Sequence, residues 1–472
     1  MRRLLLPALL LVATGVAVLG AVISDRGNTN EPSGEAATAP AAATPVLSPR
    51  RVPTLLVEPR ADAALDEVLT DIVAESPEGT CLVVTRDGAT IFAHNPDRWM
   101  VPASTEKIFT AAAALDGLGP DHTFTTEVRL TDEIGVDGVL VGDVWLLGGG
   151  DPVLDTPGYL ARFPTARPAT DLEGLADELV GAGLTQIEGA VFGDESRYDA
   201  ARTVPSWSEA NVAANRSGPL SALMINDGFD SFPEDSPDNA SASPSSDPAA
   251  SAAAVFDDLL EARGVTISGG AGSGLLPGQT VLVASAESPP LREILVQMNT
   301  FSDNTTAEQL VKELGVAVGV AGTTAAGTDV VVDTLTELGA QTVSVADGSG
   351  LSRDNITTCT ALTTTLDHHG PESPLVASLA VGGETGTLAG RFLDASTRGR
   401  VLAKSGSLAD ASGLAGMVRT PSERMLTFAY LVNGPIIDQA AIDALTQELA
   451  EALTSWPDGP DIADAAPADT GS

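Results

Sequence analysis

Ser104 and Lys107 stand three residues apart at the beginning of an apolar stretch that is rich in alanine. Alanine and leucine favour a helix, and Gly117 and Pro120 end the stretch, so we predict a buried helix over about residues 103–115. Residues three apart lie on one face of a helix, which brings the serine hydroxyl within reach of the lysine amine. A buried amine loses its proton more readily than an exposed one, so the pair could supply a nucleophile and its base.

Taken alone, this pair is a weak signal, because the spacing arises by chance and serine is a common residue at the start of a helix. Lysine, however, occurs in the 472 residues only at positions 107, 312 and 404. The other basic residues are arginines, which keep their proton in proteins and cannot act as bases. A GC-rich genome would also explain the scarcity of lysine, so the scarcity supports a chemical role for Lys107 without proving it.

Two further short motifs carry hydroxyl, amide and amine groups. Ser302-Asp303-Asn304 precedes a predicted helix, where a serine or an asparagine could equally be an N-cap. Lys404-Ser405-Gly406-Ser407 follows a predicted strand. A lysine and a hydroxyl on a strand can bind a carboxylate, and the glycine lets a substrate backbone approach the strand closely. The alternative for this motif is a charged strand end followed by a turn.

In this order, Ser-x-x-Lys, Ser-x-Asn and Lys-(Ser/Thr)-Gly form the signature of penicillin-binding proteins and serine β-lactamases. About 195 residues separate Lys107 from Ser302, which is more than a minimal β-lactamase needs. The spacing resembles that of the D-alanyl-D-alanine carboxypeptidase/endopeptidase family, the class C low-molecular-mass penicillin-binding proteins, which carry a large insertion at this place. Glycine-rich stretches that also resemble this family lie at residues 147–152, 193–198, 219–228, 347–353 and 386–391.

The resemblance implies acyl transfer from a D-Ala-D-Ala peptide and requires no metal or organic cofactor. Ser104 would be the nucleophile, Lys107 its general base and Ser302 a proton relay, while Asn304 would position Lys107 and the substrate amide. The family usually has threonine where this chain has Ser405, and serine keeps the hydroxyl. The groups expected at the substrate are the side chains of Lys404 and Ser405 on its carboxylate, Gly406 beside its backbone, and an oxyanion hole formed by the backbone N–H groups of Ser104 and Ser407.

The resemblance and the pattern of elements predict a fold of the α/β (α+β) class, with an antiparallel sheet flanked by helices, like the transpeptidase domain of penicillin-binding proteins and serine β-lactamases. We expect a discontinuous catalytic domain and a large, mainly β insertion between the first two motifs. The expected boundaries are a signal peptide or membrane anchor at 1–24, an Ala/Pro-rich disordered linker at 25–52, the catalytic domain at 53–121 and 291–455, the insertion at 122–290 and a disordered acidic tail at 456–472.

The beginning of the chain predicts export from the cytoplasm. Two arginines precede an apolar segment at residues 4–23, which fits a signal peptide and is also long enough to be a membrane anchor. The formal net charge of −39 argues against a nucleic-acid partner. An exported protein can form disulfides, but the sequence leaves open whether Cys81 pairs with Cys359.

Three functions remain in competition at this point. The first is a cell-envelope peptidase that acts on peptidoglycan stem peptides and is acylated by β-lactam antibiotics as covalent inhibitors. The second is a β-lactamase, which shares the acylation chemistry but releases the product quickly. The third is a non-catalytic protein that binds or senses the cell wall. The long insertion favours the first.

Overall fold

The computed structural model describes residues 52–340 and 343–457. The predicted export segment, most of the linker and most of the acidic tail lie outside these residues. The strands are β1 Thr80–Arg86, β2 Ala89–His94, β3 Thr125–Leu130, β4 Val139–Leu140, β5 Val144–Leu147, β6 Gln186–Ile187, β7 Val191–Asp194, β8 Phe229–Ser231, β9 Ser243–Pro244, β10 Thr266–Ile267, β11 Gly272–Ser273, β12 Val281–Glu287, β13 Ala380–Val381, β14 Val401–Ser407, β15 Ala411–Arg419 and β16 Met425–Asn433.

The described residues also form α-helices. They are α1 Val52–Glu75, α2 Lys107–Gly117, α3 Pro157–Leu160, α4 Leu172–Gly181, α5 Glu209–Ala213, α6 Pro248–Ala262, α7 Leu291–Thr300, α8 Asn304–Ala317, α9 Thr324–Glu337, α10 Cys359–His369, α11 Pro374–Ala377 and α12 Gln439–Ser455. Short 3-10 turns lie at Ala103–Glu106, Asn226–Gly228 and Gly386–Leu388. Among the residues that the structure describes, no helix is long and apolar enough to cross a membrane.

A six-stranded antiparallel sheet has the order β13-β14-β15-β16-β1-β2, so it combines strands from both ends of the described chain. Helices cover both of its faces, and successive residues of β1 therefore enter two different cores. Cys81 and Val83 pack with α2, α7, α8, α9 and α10, whereas Leu82 and Val84 pack with α1 and α12. Burial on both faces explains why the strands are almost continuously apolar.

Helix α2 lies inside the first of these cores, and its residues from Lys107 to Leu115 are all buried. The four consecutive alanines at 111–114 are completely inaccessible to solvent. Their small side chains allow neighbouring helices and strands to approach α2 closely on every side. The predicted helix over 103–115 is thus present, except that its first residues form a 3-10 turn at Ala103–Glu106.

The strands from β3 to β12 form three separate sheets, with the orders β11-β7-β5-β3-β12, β10-β6-β4 and β8-β9. The first two share a core with α4 and α6. The 15-residue helix α6 was not predicted from the sequence. Asp247 accepts a hydrogen bond from the Ala250 N–H as its N-cap, and Pro248 occupies the first turn, which are the usual signals of a helix start.

The central strand β15 was also not predicted. Alanine, glycine and serine make up most of its sequence, and these residues have little intrinsic preference for strands. Pairing with β14 on one side and β16 on the other creates the strand here.

The pairing of the two cysteines, which the sequence left open, is settled, because Cys81 in β1 and Cys359 at the start of α10 form a disulfide.

Candidate active site

The first two motifs meet at the amine of Lys107, which is completely buried. Its Nζ lies 3.3 Å from the Ser104 Oγ, 2.6 Å from the Asn304 Oδ1 and 2.6 Å from the backbone carbonyl oxygen of Ser349. Ser104 itself is partly accessible. A hydroxyl that faces solvent and touches a buried amine is the arrangement that an activated serine nucleophile requires.

Burial sets the protonation of this amine. Desolvation lowers the pKa of Lys107 to about 8, although the surrounding carboxylates, first Asp347 and then Glu308, act in the opposite direction. Roughly a tenth of the amine is therefore neutral at pH 7, and a neutral amine can accept the proton of Ser104.

The third motif joins the second through the amine of Lys404. Its Nζ donates to the Ser302 Oγ at 2.9 Å and to the Ser405 carbonyl oxygen at 2.7 Å. Burial, followed by the charge of nearby Lys107, lowers the pKa of Lys404 well below its ordinary value. The described residues thus include two buried amines close together, which creates a place where a substrate carboxylate would be stabilised.

The backbone around Ser104 is tightly constrained. Ala103, the residue before Ser104, and Ser302, the serine of the second motif, have positive φ angles of 49° and 61°. Left-handed backbone at a residue other than glycine is unfavourable and is common at functional sites. Gly350, with φ +85°, lies so close that a Cβ there would overlap the Ala103 carbonyl oxygen, and a Cβ at Gly406 would lie 2.9 Å from the Ser104 nitrogen.

The end of β14 that carries the third motif has an open edge. β13 pairs with β14 only at Leu402 and Ala403, and within the described part of the chain no strand pairs with that edge beyond them. The Ser405 Oγ donates to the Thr387 Oγ1 at 2.9 Å. An open edge with unused backbone groups can accept an extended peptide as an additional strand.

The segment between the first two motifs also reaches the site. The Asn304 Nδ2 donates to the Arg216 carbonyl oxygen at 2.5 Å, so the amide is held from both ends. The Trp207 Nε1 donates to the Asp347 Oδ2 at 2.8 Å and braces the turn that presents the Ser349 carbonyl. Residues within the predicted insertion therefore hold Asn304 and Asp347 in place.

Most of the predicted site residues come together, and some important neighbours were missed. Ser104, Lys107 and Asn304 form one connected group, and Ser302, Lys404 and Ser405 another. The Ser407 side chain instead bonds with Gln439, at 3.1 Å. The neighbours not identified from the sequence are Ser349, Gly350, Thr387 and Glu308, although the first three lie in glycine-rich stretches that resemble the family. In the part of the chain that the structure describes, no cluster of three or more His, Cys, Asp or Glu side chains could hold a metal ion.

Comparison with solved structures confirms the fold class. Penicillin binding protein 4 (dacB) from Haemophilus influenzae superposes with a TM-score of 0.69, covering 82% of this chain and 99% of that one, at 22% sequence identity. The predicted penicillin-binding-protein-like α/β fold, with an antiparallel sheet between helices, is thus present. At this identity the likeness establishes the fold, and function rests on closer relatives.

Two such relatives match nearly the whole chain. The D-alanyl-D-alanine carboxypeptidase of Actinomadura sp. (strain R39) is 31% identical in an alignment of 478 positions, gaps included, which covers 84% of this chain and 85% of the relative. Carboxypeptidase DacB of Mycolicibacterium smegmatis is 32% identical in an alignment of 460 positions, gaps included, which covers 93% of this chain and 96% of the relative.

Fold and relatives together define a serine-type carboxypeptidase. The sequence model of the D-Ala-D-Ala carboxypeptidase 3 (S13) family matches residues 61–235 and 230–455. The chain belongs to this family, which confirms the resemblance drawn from its motifs.

Proposed function

We propose that the protein is a penicillin-binding D-Ala-D-Ala peptidase in which Ser104 is the nucleophile and Lys107 its general base. The observation that carries this proposal is the buried Lys107 amine, which lies 3.3 Å from the Ser104 Oγ and has its pKa lowered to about 8. The neutral amine takes the hydroxyl proton while the serine oxygen bonds to the carbonyl carbon of the penultimate D-alanine. Asn304 and the Ser349 carbonyl keep the amine in position for this transfer.

The tetrahedral intermediate then breaks its carbon–nitrogen bond. The proton that Lys107 took from Ser104 passes through the Ser302 hydroxyl to the departing D-alanine nitrogen, which leaves Lys107 neutral again. The Lys404 Nζ donates to the Ser302 Oγ at 2.9 Å and holds this hydroxyl in place. The backbone N–H groups of Ser104 and Ser407 stabilise the negative oxygen, a contribution typically worth about 3 kcal/mol per donor. Water subsequently hydrolyses the ester on Ser104 and regenerates the hydroxyl.

The terminal carboxylate of the substrate is held by Lys404 and Ser405. The buried Lys404 amine has a lowered pKa in the free protein, and an arriving carboxylate would raise that pKa and keep the amine charged. The open edge of β14 beside Gly406 gives the peptide backbone a place to bind. A β-lactam antibiotic offers the same pairing of a carboxylate with a reactive amide carbonyl and would acylate the same serine.

Peptidoglycan stem peptides are the proposed substrates, and the protein would act on them outside the cytoplasm. The family to which the chain belongs is defined by D-Ala-D-Ala carboxypeptidase activity, and that dipeptide terminates the stem peptide of the cell wall. The predicted export segment at 4–23 agrees with this location. Whether that segment is removed or anchors the protein in the membrane stays a prediction, since it lies outside the described residues.

Replacement of the nucleophile tests the proposal. Ser104→Ala should abolish labelling by fluorescent penicillin and reduce D-alanine release from a D-Ala-D-Ala peptide by roughly a thousandfold or more. Ser422→Ala is a matched control, because this exposed serine lies in the turn at the opposite end of the β15–β16 pair from the site. Circular dichroism should show that both variants are folded.

Two outcomes would contradict the assignment. D-alanine release that persists in Ser104→Ala would exclude Ser104 as the nucleophile. A wild-type protein that neither reacts with penicillin nor releases D-alanine would favour a non-catalytic wall-binding role. Turnover of the penicillin adduct within seconds would indicate a β-lactamase, whereas an adduct that lasts minutes or longer supports the peptidase.

A further inference from the structure

Three acidic side chains act on Lys107 electrostatically and have no part in the chemistry described above. Glu106, Glu308 and Asp347 are all buried, with at most 1% of each residue exposed. Carboxyl groups in such a place are costly unless they are hydrogen-bonded or neutral. Among the described residues Glu106 has no hydrogen-bond partner for either oxygen, and burial raises its pKa well above the ordinary value.

Glu308 differs from Glu106 because its carboxylate is fully engaged. One oxygen accepts the Gly348 N–H at 3.2 Å and the other accepts the Ser349 N–H at 2.8 Å. The carbonyl groups of the same two residues point to α2. The Gly348 oxygen accepts from the Thr110 Oγ1 at 2.7 Å, and the Ser349 oxygen accepts from the Lys107 Nζ at 2.6 Å.

One carboxylate therefore fixes two consecutive residues whose carbonyl oxygens hold the helix of the nucleophile. Glu308 also stands four residues after Asn304 on α8, which places both side chains on one face of that helix. The helix thus contacts Lys107 twice, directly through Asn304 and indirectly through the turn that Glu308 holds.

We propose that Glu308 is a positioning residue for the acylation step, because it holds the Ser349 carbonyl in the orientation that accepts a hydrogen bond from Lys107. Without it, two buried N–H groups lose their partner and the turn can rotate away from the amine. The inference rests on the proposed function of Ser104 and Lys107, and it assigns to the reaction a residue that touches neither the substrate nor the nucleophile.

Electrostatics adds a readout that a purely structural role would not alter. The acidic groups that act on Lys107 are Asp347, Glu308, Asp303 and Glu106, and each of them raises its pKa against the larger effect of burial. The nearby cation is Lys404. Burial raises the pKa of Glu308 to about 8, while hydrogen bonds from Ser349 and Gly348 favour its charged form. Removing this carboxylate should therefore lower the pKa of Lys107.

The test is the pH dependence of the acylation rate constant, measured with fluorescent penicillin on the full-length protein. Glu308→Gln should slow acylation by roughly tenfold or more at its optimum, because an amide cannot accept both N–H groups. It should also move the midpoint of the pH profile downward by about one unit, since a negative charge near Lys107 is lost. Glu308→Asp keeps the charge and should restore most of the midpoint.

Glu313→Gln is the matched control on the same helix. Glu313 is equally buried, but it bonds to Arg197 and Tyr198 rather than to the turn beside Lys107. This variant should lose stability yet keep the wild-type midpoint. A downward shift of the same size in Glu313→Gln would overturn the proposal, because the shift would then come from general damage to α8.

Further outcomes also decide the question. Acylation by Glu308→Gln at the wild-type rate and midpoint, or a slower rate with an unchanged midpoint, would overturn the proposal. If Glu308→Gln does not fold, Thr110→Val tests the same turn from the side of α2 and should slow acylation severalfold, whereas a wild-type rate would refute the positioning role. A wild-type protein that penicillin does not acylate would instead refute the proposed function itself.

Discussion

The Lys107 amine has three hydrogen-bond partners within 3.3 Å, and none of them is a carboxylate. A neutral amide oxygen, a hydroxyl and a peptide carbonyl stabilise an ammonium group less than a carboxylate would. The acidic groups raise the pKa of Lys107 by less than burial lowers it. This arrangement keeps the pKa of Lys107 close to neutral pH, where the amine can gain and lose a proton.

Acylation of Ser104 should consequently depend on pH with a known sign. Only the neutral amine accepts a proton, so the rate constant should rise as the pH passes the Lys107 pKa of about 8 and level off above it. Fluorescent penicillin labelling between about pH 6 and 10 would measure this profile. A rate that does not change across the interval around 8 would show that Lys107 is not the base.

Lysine variants make that measurement specific. Lys107→Arg should not be acylated at any pH in the interval, because arginine keeps its proton. Lys312→Arg is the matched control, since Lys312 is also buried but forms an ion pair with Asp199. The control should retain the wild-type profile.

At the scale of elements, the nucleophile is presented by a corner rather than by a regular helix. The backbone turns at Ala103 with φ +49°, continues through the 3-10 turn Ala103–Glu106 and then enters α2. Gly350 on one side and Gly406 on the other leave room for this corner, because any side chain at either place would meet its backbone. The packing around the corner compensates for its unfavourable backbone conformation.

Gly350→Ala should therefore damage the site as well as the fold. The new Cβ would overlap the Ala103 carbonyl oxygen, so we expect acylation to fall by at least tenfold and stability to fall by about 1–3 kcal/mol. Gly319→Ala is the matched control, because Gly319 also has a positive φ, of 74°, but its new Cβ would meet no atom within 4 Å apart from its chain neighbours. Equal losses of acylation in the two variants would show that backbone strain alone, without the contact at Ala103, explains the effect.

The elements also differ in how well the sequence predicts them. Helix α2, predicted over 103–115, and helix α8, predicted after Ser302-Asp303-Asn304, are found close to their predicted positions, since their composition and end signals are local information. Strand β15 escapes prediction because its small residues acquire a strand conformation only between β14 and β16. The third motif, which the sequence places after a strand, lies within β14 for a related reason, since Ser405, Gly406 and Ser407 are strand residues only through their pairing with β15.

At the scale of the whole molecule, the six-stranded sheet joins strands that precede residue 95 to strands that follow residue 379. We propose on this basis that 53–121 and 291–455 form one discontinuous catalytic domain, with 122–290 inserted into it. The inserted residues contact the site through the Arg216 carbonyl and through Trp207, so the insertion would hold Asn304 and Asp347 in position.

The disulfide spans most of this arrangement, since 278 residues separate Cys81 from Cys359. Closing so long a loop restricts the unfolded chain, and loss of such a bond typically costs about 2–5 kcal/mol. Cys81→Ala/Cys359→Ala should therefore unfold at a lower temperature than the wild type while still reacting with penicillin at low temperature. A reducing agent should lower the unfolding temperature of the wild type but not that of the double variant, and an equal effect on both would contradict the prediction.

The sequence by itself determined the chemistry, because a hydroxyl, two rare lysines and an amide in a fixed order define a small set of reactions. It also determined helix α2, whose alanine-rich composition and end signals are a property of neighbouring residues alone. Tertiary structure alone decided the protonation of Lys107, since a pKa depends on burial and on charges that arrive from distant segments such as Asp347 and Glu308. For the same reason the spacing of Ser104 and Lys107 does not by itself define a site. The site forms in the folded protein, where β14, α8 and the turn at Ser349 lie around these two residues.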